Sequence, residues 1–246
     1  MEYETFAFVY DAIMDDSLYD QWLHFTERHC NGKQQVLELA CGTGILALRL
    51  AQSGFDVTAL DLSDEMLSIA SERFNEAFGE QENPIQLMQG NMLALSDVGQ
   101  YDLVTCYSDS LCYMENEDDV QQVFFEVYGI LNDDGRFIFD VHSDYKMTQL
   151  FPGFSFHDET EDYAFLWDSY EDEAPLSIVH ELSFYVRDED DRFVRYLEDH
   201  HERTYPLDVY QQMLTTAGFS KVEVYADFTD EAPNDTSERW FFVCQK

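Results

Sequence analysis

The chain has 246 residues, 45% of them hydrophobic and 15% aromatic, enough for one large α/β domain with an insertion. Fifty-one acids face thirteen bases, and the resulting net charge of −38 repels phosphate backbones and anionic membranes, which argues against nucleic acid or lipid headgroups as partners. No apolar run reaches membrane-spanning length, the segment after Met1 lacks the pattern of a secretory signal, and five cysteines without a CxxC pair fit reduced, buried thiols; a cytoplasmic protein is expected.

Taken in chain order, Tyr3, Phe6, Ala7, Tyr10, Ile13 and Met14 form one helical stripe, and Leu18, Trp22 and Phe25 a second. Val36 to Ala40 reads as a strand with Glu38 inside it, followed by Cys41-Gly42-Thr43-Gly44 and a helix that Gly54 stops. Phe55 to Leu60 is a second strand ending at Asp61, and Ser63 with Asp64 and Glu65 marks a helix start. Met66, Ile69, Ala70, Phe74 and Ala77 continue at helical spacing. Strands at Ile85–Met88 and Tyr101–Tyr107, a helix through Val120, Phe124 and Leu131, and a strand at Arg136–Val141 extend the alternation. This order predicts a doubly wound, mostly parallel α/β sheet covered on both faces.

The rhythm stops after His142. Ile178, His180, Leu182, Phe184 and Val186 alternate along one extended face, Asp188 to Asp191 forms a polar turn, and Phe193 to Glu198 can return antiparallel. Residues 143–204 therefore read as an inserted β-rich subdomain. Pro206 opens a last helix, Gly218 closes it, and Lys221–Tyr225 and Trp240–Cys244 supply two final strands.

The first βα turn carries the strongest chemical signal. Gly42 and Gly44 allow a sharp turn and a close ligand approach, and the helix that follows offers its first N–H groups. Asp61, at the end of the second strand, can accept both hydroxyl protons of a ribose. From these residues alone two readings stay open, since Gly42 to Ala47 also fits the dinucleotide pattern of a nucleotide-dependent oxidoreductase.

Val36 to Asp61 resembles motif I and the acidic partner of class I S-adenosylmethionine-dependent methyltransferases. Gly90-Asn91-Met92 resembles the family's adenine loop, Tyr107 to Tyr113 its motif IV region, and the last two strands its reversed final hairpin. The resemblance implies a seven-stranded Rossmann-like sheet formed by residues 31–142 and 205–246, an N-terminal lid over 1–30, and an insert at 143–204 that covers the substrate. It implies S-adenosylmethionine as cofactor, touched by Tyr10, Trp22, Glu38, Ala40, Gly42, Gly44, Asp61, Leu62, Met66, Asn91, Met92 and Tyr107. Asn91 stands where the family usually carries Asp, so it would accept from the adenine N6 amine through its amide oxygen. Methyl transfer to a small-molecule acceptor follows, nitrogen favoured over oxygen, by a monomer or homodimer without nucleic acid, membrane or metal. A non-catalytic sensor of the same cofactor is the rival of another class. His142 is the best-placed candidate base, with His180, His200 and His201 as alternatives, and Asp109 and Tyr113 can orient the acceptor. For these side chains, backbone satisfaction, capping or packing is an equally open role.

Overall fold

The computed structural model describes residues 16–79, 84–188 and 190–246. Tyr10 and the aromatic stripe from Tyr3 to Met14 lie outside the described residues. The elements are α1 (Asp16–His29), β1 (Gln35–Leu39), α2 (Ile45–Gln52), β2 (Asp56–Asp61), α3 (Asp64–Phe78), β3 (Ile85–Gln89), β4 (Tyr101–Cys106), α4 (Glu117–Ile130) and β5 (Leu131–His142). They continue with β6 (Ser155–Glu159), β7 (Tyr163–Glu171), β8 (Ser177–Arg187), β9 (Phe193–Arg203), α5 (Leu207–Ala217), β10 (Lys221–Ala226) and β11 (Arg239–Gln245).

Seven strands form one sheet in the order β10-β11-β5-β4-β1-β2-β3. All neighbours are parallel except β11, which runs antiparallel to both β10 and β5. Alternating side chains feed two apolar layers: Leu37, Leu39 and Val104 pack with α4 and α5, while Val36, Leu103 and Ile138 pack with α1, α2 and α3. The helix starts read from sequence hold, since Ser63 caps α3 by accepting from the Met66 N–H at 3.2 Å. Gly218 ends α5 in the left-handed conformation with φ 114°.

The insert is a separate antiparallel sheet, β6-β7-β8-β9. The expected hairpin is there as β8 and β9, with Ile178, His180 and Phe184 buried. β6 and β7 add two strands that the sequence indicated only as β-rich. Phe165 and Phe184 stack at 4.9 Å between ring centroids, and Tyr163, Phe165 and Phe184 pack against Met66 at the start of α3. One end of the insert thus rests on Met66 of α3, and its other end reaches His142 through Glu202. No helix among the described residues is long and apolar enough to cross a membrane.

Candidate active site

Three neighbouring sets hold most of the singled-out residues, at the carboxyl ends of the parallel strands and on the insert. The first surrounds the β1–α2 turn. Ala40, Gly42 and Gly44 all have positive φ, at 53°, 54° and 78°. Ala40 is the unusual one, because a side chain resists that region and such conformers collect at functional turns. A Cβ on Gly44 would stand 2.6 Å from Phe74 Cζ, so this glycine is required by helix packing. A Cβ on Gly42 would meet nothing within 4 Å, so its face is open to a ligand.

Asp61 ties this turn to the next. Its Oδ2 accepts from the Gly42 N–H at 2.8 Å and its Oδ1 from the Ser63 N–H at 2.9 Å. Each carboxylate oxygen has two lone pairs, so two acceptor positions remain for a diol. Glu38 is 4% exposed, and its Oε2 is buried without a hydrogen-bond partner. Burial, reinforced by the Asp61 charge, pushes its carboxyl up to about 8. A buried acid lacking a donor, an open glycine face and a carboxylate with spare acceptors fit a ligand carrying an amine and a ribose.

The other expected cofactor contacts divide. Leu62 is exposed, its carbonyl accepting from Gln89, and Met66 is half-buried under the insert. Asn91 is exposed and spends an Oδ1 lone pair on the Leu93 N–H at 2.9 Å. Met92 packs against the core. Tyr107 and Trp22 are enclosed rather than open to a cleft. Tyr107 bonds Thr26 at 2.8 Å, and Trp22, 1% exposed, donates its indole N–H to Asp140 at 2.9 Å. Their surroundings, Tyr19, Phe228 and Phe241, form an aromatic core layer that roots α1 in the sheet.

The second region is an ion network that the sequence indicated only in part. The antiparallel register sets Arg239 opposite His142. The Arg239 guanidinium reaches Asp140 at 2.5 Å and Asp109 at 2.6 Å, while the Asp109 N–H donates to Asp140 at 3.2 Å. Ser108 and Asp109 are both left-handed, with φ 55° and 51°, so the loop after β4 turns sharply here. Asp227 fixes the other side by accepting from the Arg239 N–H at 2.9 Å. His142 Nε2 lies 3.4 Å from Asp109 and 3.3 Å from Glu202 of β9. Burial pushes the Asp109 carboxyl up, but His142 and Arg239 outweigh it and hold it well below the usual carboxylate range.

Glu202 also stands 3.6 Å from His180 Nε2. Trp167 donates to His180 Nδ1 at 3.1 Å, so the His180 proton sits on Nε2 and points at Glu202. Asp109, His142 and Glu202 are close enough to share a cation. Arg239 on Asp109, and the half-buried Lys146 whose charge acts on Asp109 and Glu202, supply positive charge there. The network links sheet and insert, and His142 Nδ1, His180 Nε2 and Glu202 Oε2 are buried in it without a hydrogen-bond partner. A third set lies beside it: Tyr113 Oη is 3.0 Å from His200 Nδ1, and His200 Nε2 is 2.9 Å from Glu198.

Asp140, Arg239, Glu202 and Glu198 were not singled out from sequence. Asp140 and Arg239 show only a charge in an apolar strand, and Glu198 and Glu202 are two of many charges in β9.

A doubly wound sheet with a reversed last strand and a glycine turn facing a strand-end acid defines the class I methyltransferases. A family model for the methyltransferase domain matches residues 36–135. The whole chain is 43% identical to a protein of Geobacillus sp. (strain WCH70) classed as a methyltransferase, covering 100% of both. A crystal structure of an S-adenosylmethionine-dependent methyltransferase from Clostridium acetobutylicum superposes with a TM-score of 0.84 at 28% identity, covering 99% of this chain and 98% of that one. A glycine/sarcosine N-methyltransferase of Halorhodospira halochloris is 27% identical over 80% of this chain and 69% of its own. The chain belongs to the class I S-adenosylmethionine-dependent methyltransferases and is an enzyme with S-adenosylmethionine as cofactor. The oxidoreductase and sensor readings are thereby set aside.

Proposed function

We propose that the enzyme methylates the nitrogen of a small cationic amine. The observation that carries this is the cleft-side face of β9, where alternation presents Glu198, His200 and Glu202 toward Tyr113, Asp109 and His142. Arg239 beside them is already tied to Asp109 and Asp140. Such an acid-rich surface favours an ammonium group over an anion. Likeness to a glycine/sarcosine N-methyltransferase supports the choice of nitrogen.

In this reading Asp61 receives the ribose hydroxyls, Glu38 the amine of the methionine part, and the backbone at Ala40, Gly42 and Gly44 the close approach. Leu62, Met66, Asn91 and Met92 border the adenine side. When bound, the cofactor supplies an electrophilic methyl on a sulfonium. The chain's part is to align the amine with it, to accept the surplus proton, and to exclude water under the insert. The insert at 143–204 is the acceptor-side roof. We take the enzyme to be cytoplasmic, a monomer or homodimer, and without nucleic acid as substrate.

The test is incubation with methyl-labelled S-adenosylmethionine and a panel of glycine, sarcosine, an amino sugar and hydroxyl analogues. N-methyl product together with S-adenosylhomocysteine is expected. Label found only on hydroxyl compounds would remove the amine reading.

A further inference from the structure

We propose that Tyr113, Glu198 and His200 form a proton relay for the methyl acceptor, with the Tyr113 hydroxyl as the group that touches it. The proposal rests on the amine reading above and names the residues that would take the acceptor's proton.

The direction of the relay follows from hydrogen-bond chemistry. An ionised carboxylate only accepts, so Glu198 draws the imidazole proton onto His200 Nε2 across 2.9 Å. An imidazole with its one proton on Nε2 presents a lone pair at Nδ1, to which Tyr113 donates across 3.0 Å. A phenol oxygen that donates in this way can itself accept a proton from a neighbouring group. It borders a cavity of about 790 Å³ whose other walls come from residues 195–201 of β9.

The placement suits the acceptor. Tyr113 ends the short 3-10 turn after β4, just beyond Asp109, and His200 meets its ring edge-on at 5.8 Å and 79°. His200 and Glu198 keep side-chain exposures of 21% and 24%, so a proton on the imidazole has a route to water. His142 lacks that route. Its side chain is 5% exposed, with Nε2 facing both Asp109 and Glu202. The structure gives His142 a cross-linking position and leaves proton transfer to His200.

The step balances. The acceptor ammonium gives one proton to Tyr113 Oη as the phenol's own proton passes to His200 Nδ1, and Glu198 offsets the imidazolium charge. The freed nitrogen lone pair forms the N–C bond, and the electron pair of the broken C–S bond stays on sulfur. His200 then gives one proton to water, the proton that stays settles on Nε2 beside Glu198, and Tyr113 remains a phenol.

Two measurements on the full chain test this. Imidazole ¹⁵N spectra should show His200 as a single Nε2–H tautomer, released into a mixture by Tyr113→Phe and by Glu198→Ala. With amines of the panel above, Tyr113→Phe should lower kcat by about a hundredfold with the KM for S-adenosylmethionine unchanged, and Glu198→Ala should lower kcat less. A tautomer mixture in the wild type, or an unchanged kcat in Tyr113→Phe, overturns the relay while the amine reading stands. Absence of transfer to every amine overturns the amine reading, and the relay's role falls with it.

Discussion

Asp61 folds the turn and, in the proposed function, receives the ribose of the cofactor. Two backbone N–H groups already use one lone pair on each of its oxygens. Asp61→Ala removes these and two ribose bonds, each worth on the order of 1.5–3 kcal/mol. Cofactor affinity by calorimetry is expected to fall by roughly tenfold or more; an unchanged affinity would place the ribose elsewhere. Glu38 makes a complementary prediction. Its carboxyl, pushed up to about 8 by burial and then by Asp61, is largely protonated at neutral pH in the free enzyme. An arriving ammonium favours the ionised form, so binding at pH 7 should release a fraction of a proton. Calorimetry in buffers of different ionisation enthalpy reads that number, and zero would show that Glu38 does not face the charge. The sign for stability runs the same way: a raised folded pKa means Glu38 destabilises the free fold as pH climbs from about 4.5 through about 8. Glu38, Asp61 and the two glycines were legible in sequence because a strand, a tight turn and a strand-end acid lie within one short stretch. Arg239 and Asp140 were not, since their contact spans 99 positions and two separate strands. In a chain with fifty-one acids, one more carboxylate carries no local sign of burial.

Elements repeat the contrast. Period and capping residues located each strand of the large sheet, because strands buried on both faces read as short apolar runs, but Leu131, read as helical, begins β5 ahead of the expected start at Arg136. β6 was invisible for the opposite reason: Ser-Phe-His-Asp-Glu is mostly exposed and shows no alternation. Trp22 carried an expectation of cofactor contact, but helix α1 packs it into an aromatic layer, with its N–H used by Asp140. Helical spacing reports which face is apolar, not what that face meets. Two expected outcomes belong to this scale. Gly44→Ala forces a Cβ into Phe74 and Ala70 at a φ of 78°, so stability should drop by about 2–4 kcal/mol in urea unfolding. A drop below about 0.5 kcal/mol would mean that α2 and α3 can separate cheaply. Phe184→Ala empties the centre of the insert's core, where Phe184 is 1% exposed. A loss of about 3–5 kcal/mol in the insert's stability is expected. Hydrogen exchange should show faster amides in β7 and β8 while the large sheet stays protected; uniform loss would make the two sheets one cooperative unit.

The whole molecule carries a net charge of −38, and much of its surface repels itself. Added salt screens that repulsion, so the melting temperature should rise between low and physiological ionic strength, and gel shifts with tRNA or duplex DNA should show no complex. A melting temperature that falls with salt would assign the acids to attractive pairs instead. In the proposed function the sheet, glycine turn and insert converge, with cofactor groups at Asp61 and acceptor groups at Tyr113 and β9. The most direct measurement of that convergence is methyl transfer by the purified protein from labelled S-adenosylmethionine to the amine panel, scored by mass spectrometry of both products. N-methylated amine and S-adenosylhomocysteine in equal amounts, abolished together by Asp61→Ala at limiting cofactor, are the expected result. Tight cofactor binding with no amine methylated across the panel would contradict it.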